Sequence, residues 1–187
     1  KRMKLNTPRL QPLESNEWSD EVRAIMKPMI ERGEVFNIFK TLARHPDLMR
    51  RWLVFGNHVL FKSTLPARER ELVILRIGWL CQAEYEWGQH VRIGLDTGLT
   101  KEEIHRIKEG PAAAGWNERD RLLLQATDEL HADAHISDGT WAGLSKHYNT
   151  QQLMDLVFAV GQYNLVSMAL NTFGVQLDAG LPTFANT

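Results

Sequence analysis

The chain has 187 residues, enough for one domain with a sizeable core, and its 43% hydrophobic and 24% charged content is ordinary for a globular protein. A net charge of −1 excludes the broad basic field of a nucleic-acid binder, and a single cysteine excludes an intramolecular disulfide. The N-terminal stretch has no apolar signal region, and there is no run of about 18 apolar residues to span a bilayer. A cytoplasmic protein without a membrane partner is therefore expected.

Residues 1–17 read as an extended arm, because Pro8 and Pro12 break any helix. Such arms are often disordered, or drape over a neighbouring subunit. Ser19 is placed to cap a helix through Val22, Ile25, Met26, Met29 and Ile30, which Gly33 ends. Phe36, Ile38, Phe39 and Leu42 make a shorter apolar segment that stops before Pro46. Leu48, Trp52, Phe55 and Val59 form the apolar face of the next helix. Thr64, Leu65 and Pro66 start a helix that carries Glu71, with Pro66 near its first turn. A break at residues 81–84 separates it from a helix holding Glu86 and His90, and Glu86 in that first turn is stabilised by the helix dipole. Gly98 closes this helix, and Thr100 with Glu103 forms a capping box for the next. Gly110, Pro111 and Gly115 mark a loop. Asn117 caps a helix through Leu122, Leu123, Ala126 and Leu130, and Ser137 or Asp138 starts one through Trp141 and Leu144. Thr150 opens a long final helix with Leu153, Leu156, Val157, Val160 and Met168 inward. Strand alternation is nowhere sustained. The expectation is an all-α helical domain over 18–174, with a loose tail at 175–187.

The chemistry concentrates between Arg68 and Thr100. Glu86 and His90 stand four residues apart, so a helix puts them on one face, where a carboxylate orienting an imidazole suits proton transfer near neutral pH. Glu71 lies in the apolar run Leu72, Val73, Ile74, Leu75, Ile77, Trp79 and Leu80. A carboxylate buried there needs a partner. It is either a relay acid or the structural partner of a base such as Arg76 or Arg92. Trp87 and Tyr85 are candidate walls of a substrate pocket, and core packing explains them equally well. His58 is a further candidate lining residue with a surface role as the alternative. Tyr163 and Asn164 interrupt an apolar helix, and their polar groups need partners in a ligand or in other helices. His131 and His135 share metal-ligand spacing without a third ligand in view, so no metal is expected. Cys81, among apolar neighbours, reads as an inert thiol.

The segments RERELVIL, EYEWGQH and GLTKEEIHRI resemble the carboxymuconolactone decarboxylase family, whose relatives include the alkylhydroperoxidase D-like proteins. Matching the peroxidase branch on His90 sets its two cysteines at Ala83 and Glu86, its relay glutamate at Glu71 and its following turn at Gly98, Leu99 and Thr100. Both cysteines are absent, which removes dithiol chemistry. Glu86 with His90 is instead similar to the decarboxylase branch. The resemblance implies an AhpD-like helical bundle and a cofactor-independent carboxy-lyase, or a related proton-transfer enzyme. Its substrate would be a small carboxylated lactone or an aromatic ring-cleavage product that carries its own electron sink. His90 would be general acid or base, Glu86 its orienting group and Glu71 its proton relay, with Arg76 or Arg92 gripping the substrate carboxylate. The resemblance also implies a homo-oligomer, a trimer or a multiple of trimers. Two alternatives stay open: a peroxidase-like reductase, which the missing cysteines oppose, and a non-catalytic oligomeric binding protein.

Overall fold

The computed structural model describes residues 3–187; Lys1 and Arg2, the start of the expected arm, lie outside them. Nine α-helices and no strand occur among the described residues: α1 (Asp20–Arg32), α2 (Asn37–Leu42), α3 (Pro46–Phe61), α4 (Ala67–Leu80), α5 (Glu84–Asp96), α6 (Lys101–Glu109), α7 (Glu118–Asp133), α8 (Asp138–Leu144) and α9 (Thr150–Phe173). The all-α expectation holds.

Local chemistry sets most of the boundaries. Ser19, Asn117 and Ser137 each accept a backbone N–H from the first turn of α1, α7 and α8, relieving donors that have no intrahelical partner. Thr100 and Glu103 form a reciprocal box at α6. Asn149 and Gln152 form another at α9, which Thr150 opens as expected.

Helix α4 is the hub, packed against α5, α6, α7 and α9. Every residue from Leu72 to Gly78 is buried, which is why its apolar run shows no polar face. The main core joins α4 to Trp87, Val91, Ile104, Ile107, Leu123, Leu144 and Leu156. A second cluster, with Trp18, Met26 and Met49, holds α1 to α3 together.

Four expectations need correction. The buried residues of α3 are Met49 and Val59, while Leu48 and Phe55 face outward. Met168 of α9 is also exposed. Helix α9 is apolar on all sides, so periodicity does not reveal which side the fold covers. By length and composition α9 is apolar enough to cross a bilayer, although half of its most apolar 18-residue window is buried within the fold. The segment after Gly174 is not loose: Val175, Leu181 and Phe184 are buried. The arm lies along its own chain, with the backbone N–H groups of Arg9 and Leu10 donating to Phe173 and that of Leu13 to Lys40.

Candidate functional site

Helices α4 and α5 form a tight antiparallel hairpin. Cys81 caps α4, Gln82 takes φ +53°, and α5 begins at Glu84. A left-handed non-glycine residue is uncommon, and here it reverses the chain within three residues. Two glycines let the helices approach. A Cβ on Gly78 would stand 3.4 Å from Glu86 Cγ, and one on Gly94 would meet Leu99 at 3.0 Å and Leu75 at 3.3 Å.

This contact brings Glu71, Glu86 and His90 together, all of them buried. His90 Nδ1 lies 2.6 Å from Glu71 Oε2, and its Nε2 lies 3.0 Å from Glu86 Oε1. The two contacts are unequal. The Glu71 contact has hydrogen-bond geometry, whereas Glu86 Oε1 sits off the N–H direction, with no aligned donor. Arg70 Nε donates to the second oxygen of Glu71 at 3.0 Å. The Tyr163 ring, from α9, packs edge-on against the imidazole with centroids 4.8 Å apart.

Two carboxylates facing one imidazole decide its charge. Burial alone pushes the ring towards neutrality; the attraction of Glu71 and then of Glu86, with the hydrogen bond to Glu71, outweighs it, and His90 is pushed up to about 10. The ring is therefore an imidazolium at neutral pH. With Arg70 it balances the two carboxylates, which is how a polar group this dry is accommodated.

The other candidate residues go elsewhere. Trp87 is fully buried among Trp79 and Phe184, and its N–H donates to Thr187. Tyr85 donates to Asp178 and packs in a separate cluster with Val166 and Leu170. Both bind the C-terminal segment, so the structure does not place them as walls around His90. His58 is exposed and pairs with Asp155 of α9 at 3.2 Å. Asn164 accepts the Cys81 thiol at 3.1 Å, and Asn171 donates to the Cys81 carbonyl, tying α9 to the end of α4. Burial pushes the Cys81 thiol up, as suits an unreactive group. Arg76 is fully engaged by Asp128 and by the Ile107 and Lys108 carbonyls that end α6, so it neither pairs with Glu71 nor stands free for a substrate. Arg92 is exposed. Besides His90, the basic partner of Glu71 is Arg70, where the sequence suggested Arg76 or Arg92; its adjacency to Glu71 in the run RERE was the only signal. Two cavities lie away from His90. One of about 690 Å3 opens beside Cys81, His131 and Asn164, and an apolar one of about 120 Å3 lies between α3 and α9.

The profile of the carboxymuconolactone decarboxylase family matches residues 46–129, a span that contains Glu71, Glu86 and His90. The fold is that of the AhpD core of an uncharacterized peroxidase-related protein from Ralstonia eutropha JMP134, at TM-score 0.80 and 20% identity over 92% of this chain and 93% of that one. The segment 46–129 is thus similar to the carboxymuconolactone decarboxylase family, and the whole chain shares the AhpD-like fold. Among other structures of this fold, a protein of unknown function from Agrobacterium tumefaciens, a putative antioxidant defence protein AhpD, matches at TM-score 0.69 and 20% identity, over 74% of this chain and 95% of that one. A cysteine-to-alanine variant of the debrominase Bmp8 in complex with 2,3,4-tribromopyrrole matches at TM-score 0.76 and 15% identity, over 93% and 94%. At these identities the structures share the fold. Among curated proteins no sequence matches the chain.

Proposed function

We propose that this chain is a proton-transfer enzyme of the decarboxylase type, acting on a small carboxylated lactone or ring-cleavage product. The observation that carries the reading is the imidazole ring of His90 held between two buried carboxylates, a setting that favours its protonated form. Loss of carbon dioxide from such a substrate leaves its bonding electrons delocalised as an enolate. An imidazolium stabilises that charge and then gives a proton to carbon. The geometry favours an exchange of the roles expected for the two carboxylates. Glu71 anchors Nδ1 through the aligned bond and is itself fixed by Arg70. Glu86, off-axis at Nε2, is the easier to displace. Its departure removes one of the two charges that hold the proton on the ring, so the imidazolium becomes a stronger acid when substrate takes its place. Glu86 then returns a proton to Nε2 from solvent.

The packing supports a second reading. His90 is covered by Tyr163 and its partners are paired off, as in a non-catalytic protein that keeps the cluster for stability. Carbon dioxide release and ultraviolet absorbance, followed across muconolactone-type acids, separate the two. Turnover that falls by roughly 10²- to 10⁴-fold in folded His90→Ala is the expected result. Near-normal turnover in that variant would remove His90 from the chemistry, and no turnover of any such acid by the intact chain would leave the non-catalytic reading.

A further inference from the structure

Helix α9 carries large apolar residues that the fold leaves uncovered. Met154, Phe158, Leu165 and Met168 are each between 49% and 57% exposed. With Gly161 they follow one another at intervals of four, three, four and three residues, the spacing of a seam that packs against another helix. Helix α3 widens the strip. Phe55 stacks edge-on with Phe158, centroids 6.1 Å apart, and Leu48 joins Leu165 on the wall of the apolar cavity between the two helices.

Three features identify the occupant. First, the strip is symmetric about Gly161 to within one residue. Met154 and Phe158 precede it by seven and three residues, and Leu165 and Met168 follow it by four and seven. An antiparallel copy crossing at Gly161 sets Met154 against the partner's Met168 and Phe158 against the partner's Leu165. Second, nothing in this chain lies within 4 Å of a Cβ built on Gly161. Glycine weakens a helix interior, and no packing within the chain calls for it here, whereas it suits the crossing point of two close helix axes. Third, the only charged residue of α9, Asp155, is taken up by Thr64 and His58, so self-pairing meets no like charges. At roughly 100 Å2 for each half-exposed large side chain, the six residues supply on the order of 600 Å2 per subunit, about 1,200 Å2 for a pair, within the range of specific interfaces.

The geometry points to a two-fold contact between copies of this chain, α9 against α9 with α3 at its margins. It assigns the surface of self-association and requires even-numbered assemblies, so a lone trimer does not satisfy it. It is independent of the chemistry at His90. Sedimentation of the full chain at micromolar concentration tests it. An even multiple of the 21.5 kDa subunit is expected. Gly161→Glu, at a position with free space around it, should weaken association by about 100-fold or more, because it buries two unpaired carboxylates at the crossing. In a Cys81→Ser background, oxidised Gly161→Cys should form disulfide-linked dimers, while Trp141→Cys on α8 should not. A wild-type monomer or lone trimer would overturn the proposal. So would a mass unchanged in folded Gly161→Glu, or the absence of the Gly161→Cys dimer. A monomer that floats with phosphatidylcholine vesicles would reassign the strip to a membrane surface and overturn it equally.

Discussion

Each member of the quartet of partly exposed Arg70 and buried Glu71, His90 and Glu86 is held by charge, so the cost of removing one depends on what it leaves behind. Glu71 has aligned contacts to both His90 and Arg70, whereas Glu86 has only the off-axis one. Breaking a buried pair costs about 3–5 kcal/mol when a charge is stranded. Glu71→Gln should therefore destabilise the fold by several times as much as Glu86→Gln, measured by chemical denaturation. Equal effects would mean that Glu86 is as firmly bonded as Glu71. The quartet also sets a pH dependence. His90 rises from an ordinary 6.5 to about 10 on folding, so between these values the folded chain holds the extra proton. Its contribution to stability is complete below about 6.5, falls as pH climbs and is gone above about 10. Urea midpoints should therefore decline from pH 7 to 10 in the native chain more steeply than in His90→Gln. Parallel declines would show that other groups carry the alkaline loss.

What the sequence disclosed about the elements follows from how local each signal is. Caps depend on residues within one turn, so Ser19, Thr100 with Glu103, and Asn117 were legible at once. The facing of Glu86 and His90 is set by helical spacing and was equally legible. The inward faces of α3 and α9 were not, because their neighbours come from distant parts of the chain and both helices have apolar residues to spare. The same limit hid Arg70, the unequal bonds of the two carboxylates, and the engagement of Trp87 and Tyr85 by the C-terminal segment. These are tertiary facts that no spacing encodes. Thr100→Ala and Asn117→Ala should each cost about 1 kcal/mol, since each strands a first-turn N–H that water reaches only in part. Thermal midpoints check this, and a null effect in both would mean that neighbouring groups take over the caps. At Gly88 of α5, a Cβ would stand 2.5 Å from the Pro182 carbonyl oxygen. Gly88→Ala should therefore push residues 175–187 away while α5 itself persists. Faster proteolysis of the tail with unchanged helical circular dichroism is the expected pair of results.

The molecule as a whole is built around α4, and its last residues close one side of that core. The backbone N–H of Phe184 donates to Glu84, and Lys108 donates to the Phe184 carbonyl. The Phe184 ring meets Trp79 at 5.0 Å and Trp87 at 5.6 Å, and the Lys108 ammonium lies over both indoles. Phe184→Ala should cost about 3–5 kcal/mol, the range for a large ring lost from a packed interior. A loss far smaller than this would show that the tail binds mainly through its backbone. The same arrangement gives the chain a light-emitting gauge of its own closure. Two of its six tryptophans, buried Trp87 and half-buried Trp79, lie together under one cation, and the docked tail covers them through Phe184. When the segment lifts, both indoles meet water and lose the ammonium together, so their emission should shift to the red while the more distant Trp18 and Trp141 report nothing. The undocking of thirteen residues could then be timed by colour, without a dye.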